Sequence, residues 1–356
     1  MKVCILGSSL TGLTLAKALI NKGVYVDIFF NRINKNQDKS RTLSISKSNI
    51  EFFNKEILNI ENFLWNIDKI EIISENFHNK KILEFQNKNK RLFSIIRNFE
   101  LYNYLLSNIK KSKYLRINLK KNLVKNLKKK YQLVINCELK NKFTKKYFYK
   151  KTTKDYKSYA YTAIMDHKKI TNNIATQVFT KNGPLAFLPI SNNRTSLVYS
   201  FLGEKDFEFK KEVKKFNDKY QIIKISVPKK FKLNSSDLRN YHYENILAFG
   251  ELLHKIHPLA GQGFNMSIRD IKELLKIVQF KLDHGLNLDK SICDEFEKQR
   301  KHKNYIFSNG IDTIYEFFKL ESKIKSNILS KLIKSLGKNK FVNKTFNKFA
   351  DEGIVI

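Results

Sequence analysis

The sequence predicts an α/β fold, and three observations carry that expectation. A strand–turn–helix–strand pattern opens the chain. A second strand–turn–helix returns near residue 246. Between them lie short runs of alternating residues suited to a mainly antiparallel sheet. The two end units read as parts of one Rossmann-like sheet with the middle inserted, followed by a helical C-terminus.

In chain order, 2–6 (KVCIL) reads as a buried strand, 7–12 (GSSLTG) as a turn, and 10–22 as a helix with Leu13, Ala16, Leu19 and Ile20 at helical spacing. Gly23 stands where a helix-ending glycine belongs, and 24–30 (VYVDIFF) reads as a second strand. The polar run 32–39 predicts a loop, 44–58 a helix, and 70–74 and 81–85 strands. A helix is expected over 99–109, with Leu101, Tyr104, Leu105 and Ile109 on one face. The lysine-rich 110–130 predicts a hairpin-like region, and 132–137 (QLVINC) a buried strand. Strands of the inserted sheet are expected at 158–165, 174–180, 184–190 and 195–202. Another buried strand, 245–249 (NILAF), leads to a turn with Pro258, Gly261 and Gly263, then a helix over 264–280. The remainder reads as helical.

Composition bounds the function. Hydrophobic residues make up 42% of the chain, enough for a sizeable core, which sets global disorder aside. Lys and Arg number 68 against 33 Asp and Glu, a formal charge of +35. Such a field attracts nucleic acid or an acidic membrane. The excess is nearly all lysine, accompanied by Asn, Ile and Phe as in an AT-rich coding bias. Arginine, on which base readout leans, is rare, so nucleic acid is set aside as a partner. Cys4, Cys137 and Cys293 are far apart and form no metal or redox spacing, which suits a reducing compartment. No apolar run reaches about 18 residues, so no transmembrane helix is expected, and the N-terminal stretch reads as folded rather than as a signal peptide.

Two turns carry the chemistry. In GSSLTG, backbone N–H groups and the start of a helix can face a pyrophosphate. Gly7 makes the tight turn and Gly12 permits close helix–strand packing. Ser9 stands where a glycine is usual, and its Cβ would crowd a phosphate. The acid that would bind a ribose at the end of the second strand is missing: the register puts Phe30 there, and Asp27 comes too early.

The second turn lies in FGELLHKIHPLAGQGFNMSIRD, residues 249–270. This run resembles the flavin-contacting segment GDxxHxxxPxxGQGxNxxxxD of the class A flavoprotein monooxygenases. Gly250, His254, Pro258, Gly261, Gln262, Gly263, Asn265 and Asp270 fall in place, and Glu251 replaces the family's Asp. Glu251 can accept hydrogen bonds from ribityl hydroxyls, Gly261 and Gly263 let the backbone approach a flat ring, and the amides from Gly263 to Asn265 can stabilise negative charge on it. RTLSISKSNIEFF, from Arg41, is similar to the family's RTxALSxxSxxxF. GPLAFLPISNNRTSLVY (183–199) resembles GPLALLPLxxxxxSLVW of the ubiquinone-biosynthesis hydroxylases, and 298–318 resembles that subfamily's late helix.

The resemblance implies a Rossmann-like FAD-binding domain (1–65, 90–155 and 240–285), an inserted, mainly antiparallel substrate-covering sheet (66–89 and 156–239), and a helical C-terminal region (286–356). FAD would be held by Gly7, Ser9, Gly12, Arg41, Glu251, Pro258, Gly261, Gln262, Gly263 and Asn265, with NAD(P)H as reductant. The implied reaction is hydroxylation by molecular oxygen, via a flavin hydroperoxide, of a small lipophilic aromatic substrate, a polyprenylated phenol of ubiquinone biosynthesis. His254 and Pro189 are expected on the substrate side, His254 as a loop organiser rather than a proton carrier. No side chain is assigned to catalysis and no metal is expected, because the flavin does the oxygen chemistry.

The implied partners are other ubiquinone-biosynthesis proteins and an anionic membrane surface, with a cytoplasmic or inner-face peripheral location. One stretch bears on the membrane. Ile324, Ile328, Leu329, Leu332, Ile333 and Leu336 share a helical face, Lys323, Lys325, Lys331 and Lys334 flank it, and Gly337 can end the helix. It suits either a membrane or the domain's own surface. One more departure is visible: the family's DG motif, expected near 137–139, reads Cys137-Glu138-Leu139. Together with Ser9 and Phe30 it leaves a second reading, a diverged and catalytically inactive scaffold in a biosynthetic complex.

Overall fold

The computed structural model describes residues 1–30, 38–86, 91–118, 127–203, 207–324, 331 and 348–353. β1 (Lys2–Leu6), α1 (Leu10–Asn21) and β2 (Tyr25–Phe29) open the chain. β3 (Thr42–Ser46) leads into α2 (Lys47–Glu56), and β4 (Trp65–Ile67), β5 (Lys69–Ser74), β6 (Lys80–Gln86) and β7 (Phe93–Arg97) precede α3 (Asn98–Lys110). β8 (Leu115–Asn118), α4 (Leu127–Lys130), β9 (Leu133–Asn136) and α5 (Lys142–Tyr147) follow. The middle holds β10 (Lys151–His167), β11 (Ile174–Thr180), β12 (Gly183–Ser191), β13 (Arg194–Leu202), α6 (Phe209–Lys215), β14 (Ile222–Ile225) and β15 (Lys229–Leu238). β16 (His242–Tyr243), β17 (Ile246–Ala248), β18 (His254–Lys255), α7 (Gln262–Asp283) and α8 (Lys290–Ile324) complete it.

One sheet has the order β16–β17–β9–β1–β2–β8, and all but β16 run parallel. Its central strands, KVCIL and LVIN, are nearly continuous apolar runs, as burial on both faces demands. β9 lies between β1 and β17, so the first and last strand–turn–helix units share this sheet, as the sequence predicts. Ser9 caps α1 at one end, and Gly23, with φ of 73°, closes it at the other.

The inserted sheet has the order β18–β15–β10–β13–β12–β11–β5–β6, with β14 also on β10. Its pairs are antiparallel except β11 with β5. One face packs Met165, Leu185, Leu197 and Tyr199 against Val213 of α6. Phe179 and Leu233 join Phe307, Ile311 and Phe318 of α8 in a separate cluster. A small antiparallel sheet, β3–β7–β4, is the third layer.

The structure corrects several local expectations. Residues 44–46 are strand, because 42–46 pairs along its whole length with β7, and the helix begins only at Lys47. Residues 115–118 extend the parallel sheet beside β2 instead of forming a hairpin, Leu115 and Ile117 being packed on the core. On α3, Tyr102 is buried along with Leu101, Leu105 and Ile109, and Tyr104 packs half-buried on the same core. Most of the loop expected at 32–39 and most of the basic amphipathic stretch after Ile324 lie outside the described residues.

A buried carboxylate joins the helical layer to the insert. Asp270 of α7 is fully buried. Its Oδ1 accepts from Arg300 Nε at 2.7 Å and from Asn304 Nδ2 at 3.0 Å, both on α8. Its Oδ2 accepts from His254 Nε2 of β18 at 2.6 Å. Burial alone would raise the Asp270 pKa, but the Arg300 and His254 charges and the hydrogen bonds outweigh it and hold it at about 2. Asp270→Asn should therefore cost about 3–5 kcal/mol, the usual penalty for removing one partner of a buried charge pair. Because the folded-state pKa is lowered, the stabilisation is complete above about pH 4 and is lost as pH falls toward 2. A urea midpoint unchanged by the substitution at pH 7 would contradict this.

Candidate functional site

The turn after β1 is built as the sequence predicts. Gly7 adopts φ of 105°, and a Cβ there would come within 2.7 Å of Glu138 Cγ, so only glycine lets Glu138 pack against the turn. Gly12 sits where a Cβ would approach the Gly7 carbonyl oxygen to 2.9 Å. Ser9 is the N-cap of α1, and the Gly12 N–H donates to its Oγ at 3.2 Å. The serine thus spends one helix-end amide on itself. With Leu13 N–H bonded to the Ser9 carbonyl, Leu10 and Thr11 are left with the other first-turn donors.

The second turn comes up against the first. Gly250, with φ of 67°, lies so close to Thr11 that a Cβ would stand 3.0 Å from Thr11 Cγ2. Gly261 is left-handed at φ of 62°, and a Cβ there would fall 2.1 Å from Ser44 Oγ, so this glycine is required by the fold itself. Gly263 differs. A Cβ there would meet only Ile256, at 4.0 Å, so the protein's own packing does not require glycine. Gly261 is also the N-cap of α7 and supplies no capping side chain, leaving the α7 amides open.

Both turns open into one cavity of 2110 Å³. A single small ligand needs about 300–1,000 Å³, so this volume accommodates two. The first turns of α1, α2 and α7 all line it, and each brings the positive end of a helix dipole. The α2 end is closed by the chain itself: Ser48 N–H donates to Asp351 Oδ1 at 2.9 Å. Arg41, Lys47, Lys140, Lys230 and Lys255 add cationic groups around the wall. Farther in, the wall becomes apolar, with Ile70, Leu83 and Phe85 from the sheet and Ile314 and Phe317 from α8.

Of the expected cofactor residues, Ser9, Arg41, Glu251, Pro258, Gly261, Gln262, Gly263 and Asn265 line this cavity, and Gly7 and Gly12 shape its turn from behind. Two are engaged by the protein. Asn265 Oδ1 accepts from Ser46 N–H and Asn49 Nδ2, and its Nδ2 donates to the Ser44 carbonyl at 3.0 Å. Gln262 Oε1 accepts from Arg269 at 3.2 Å. Arg41 instead lies over the Phe231 ring.

His254 lines the cavity and is tied through Nε2 to Asp270. Pro189 is a correction. The alternation along β12 sends Pro184, Ala186 and Leu188 to the cavity, so Pro189 falls on the opposite face with Leu185 and Phe187. Phe30 is buried at the end of β2, and Asp27 bonds Tyr131 and Lys2, away from the cavity wall. Leu139 lines the cavity without a positive φ, so glycine's freedom is not needed there.

Other lining groups escaped sequence reasoning. Tyr102 is buried in the wall beside Ser8, and its hydroxyl finds no partner among the described residues. Asp38 Oδ1 accepts from Ser40, whereas its Oδ2 has no partner among those residues. Tyr102 could have been noticed as a polar tip on an aliphatic helix face; Asp38 carries no local signal. Together, an unpartnered hydroxyl, two uncapped or partly capped helix ends and an unfilled space at Gly263 fit a bulky, phosphate-bearing, planar group.

No family profile matches the chain. It is 23% identical over 200 residues to the mitochondrial ubiquinone biosynthesis monooxygenase COQ6 of Schizosaccharomyces pombe, a match covering 42% of each chain. It is 27% identical over 152 residues to 3-demethoxyubiquinol 3-hydroxylase of Escherichia coli, covering 40% of this chain and 39% of that one. The matches thus span about two fifths of these relatives. Among solved structures, p-nitrophenol 4-monooxygenase PnpA of Pseudomonas putida superposes with a TM-score of 0.77 at 10% identity, covering 99% of this chain and 98% of that one. Klebsiella pneumoniae HpxO, complexed with FAD and uric acid, gives 0.74 at 10% identity over 99% and 97%.

His257, beside the turn that contains Pro258, Gly261 and Gly263, is fully buried against Tyr156 and Tyr315. Leu259 N–H donates to its Nδ1 at 3.2 Å, which assigns the proton to Nε2. Burial, with a contribution from Lys154, pushes its pKa down to about 3. The folded state therefore holds it neutral. The stabilisation is whole above about pH 6.5 and falls by about 1.4 kcal/mol per pH unit below that, until pH approaches 3. His257→Gln should remove this slope from urea midpoints measured between pH 6.5 and 4; an unaltered slope would rule the burial effect out.

Proposed function

We propose that this chain, which has the fold of the FAD-dependent aromatic monooxygenases, binds FAD and hydroxylates a lipophilic phenolic ring in ubiquinone biosynthesis. One observation carries the reading: the turn at 7–12 and the turn at 250–263 meet at Gly250 and Thr11 and open into a single cavity large enough for a dinucleotide and a second molecule. The similarity to ubiquinone-biosynthesis hydroxylases supports the choice of substrate class.

In this reading FAD supplies the redox and oxygen-activating chemistry, with NAD(P)H as the reductant. The chain's own residues bind, orient and exclude water. The amides of Leu10 and Thr11 hold the pyrophosphate, with the Tyr102 hydroxyl beside them. Glu251 accepts hydrogen bonds from ribityl hydroxyls. Gly261 and Gly263 would let the backbone of the turn approach a flat ring, and the uncapped start of α7 would stabilise negative charge on it. Pro258 shapes the turn, and Arg41 lies at the cavity's polar end. The apolar reach toward Phe85 and Phe317 takes the substrate's hydrocarbon part and excludes water from the reacting ring.

We also assign residues 1–65, 90–155 and 240–285 to the FAD domain, 66–89 and 156–239 to the substrate-covering sheet, and 286–356 to the helical region. Among the described residues no helix is long and apolar enough to cross a membrane. The basic surface suits peripheral contact with an anionic membrane and with other proteins of the pathway.

Purified protein supplied with FAD should show flavin absorption bands. Gly263→Val should lose them while keeping the native circular dichroism spectrum, because the space beside Gly263 is closed by no protein atom nearer than 4.0 Å. A folded variant that retains full flavin content would refute this ring placement.

A further inference from the structure

One transverse row crosses the cavity face of the inserted sheet. The pairings run Thr162 to Val198, Val198 to Ala186, Ala186 to Gln177, Gln177 to Ile72 and Ile72 to Leu83. Directly paired residues share a face, and all six line the cavity. The row is otherwise apolar apart from Thr162, whose hydroxyl is already paired with Ser40 Oγ at 2.9 Å. Gln177 is half-buried, and among the described residues its amide makes no hydrogen bond. Ala186 directly opposite and Ala175 two residues before it leave a recess beside that amide. Ile70, Phe85 and Leu188 surround the recess with hydrocarbon.

A polar amide set into an apolar wall costs solvation unless a ligand partners it. Its Oε1 accepts and its Nε2 donates. A ring hydroxyl does both, so one phenolic oxygen can satisfy both halves of the amide, whereas a bare hydrocarbon ring would leave it unpaired. We propose that Gln177 is the specificity-determining residue of this cavity, selecting an aromatic ring that carries a hydroxyl over the same ring without one. The inference rests on the aromatic-substrate reading given above, and it adds the group by which the ring is recognised and oriented.

Equilibrium dialysis of 2-decylphenol and decylbenzene against the full chain with added FAD tests it. The wild type should bind the phenol about tenfold or more tightly than the hydrocarbon. Gln177→Leu should bring that ratio close to one, mainly by weakening the phenol, with flavin content unchanged. Gln177→Met, which keeps the length of the side chain, should do the same and guards against a folding defect in the first variant. A wild-type ratio near one, or a ratio preserved in both variants, would overturn the proposal. Loss of flavin in the variants would also overturn it, by assigning the amide to the cofactor. Failure of the wild type to take up FAD would sink the cofactor reading instead, and the two binding constants would still judge Gln177.

Discussion

A negative charge buried away from bulk solvent is the constraint on which this architecture turns. Asp270 can exist there only if α8 brings Arg300 and Asn304 to one oxygen while β18 brings His254 to the other. The parallel sheet's last helix, the long C-terminal helix and the edge of the inserted sheet are thereby locked at one point. Because β18 pairs with β15, the lock reaches into the sheet that roofs the cavity. The two halves of the cavity wall, one from each sheet, are therefore held in fixed relation by a buried charge in addition to hydrophobic contact. Such a charge cluster adds little net stability but disfavours alternative packings strongly, since any displacement strands a charge.

The polar end of the cavity depends more on main chain than on side chains. Asn265 and Gln262 look from sequence like ligand-binding residues, yet the Asn265 side chain holds β3 and α2 to α7, and the Gln262 side-chain carbonyl oxygen is bonded to Arg269 within α7 itself. What they position is the open first turn of α7. Ser9 is comparable: it replaces a glycine, caps α1 with its hydroxyl, and leaves the neighbouring amides for a ligand. Backbone donors fixed by such clamps need no reorganisation when a charged group arrives.

The parts legible in sequence were those whose physics is local. Gly7, Gly23 and Gly261 announce themselves because a left-handed or crowded backbone tolerates little else. The buried strands of the parallel sheet read directly as apolar runs, and the long match at 249–270 marked the second turn. Side-chain direction in the insert was not legible. From sequence Pro189 reads as lying on the substrate side, but a strand's alternation can be phased only once its neighbours are known, and the pairing of β12 with β11 and β13 turns Ala186 and Leu188 toward the cavity instead. Gln177 was invisible for the same reason: its isolation in an apolar row exists only across five strand pairings.

The C-terminal segment 348–353 has a temporal implication. Phe349 stacks on Phe307, Asp351 closes α2, and the Ala350 and Asp351 carbonyls accept from Arg269. The same segment lines the cavity together with residues 8–11, more than three hundred positions earlier in the chain. The enclosure is therefore complete only once 348–353 has folded back onto α2 and α7. Capture of a bound group inside it follows the synthesis and docking of that segment.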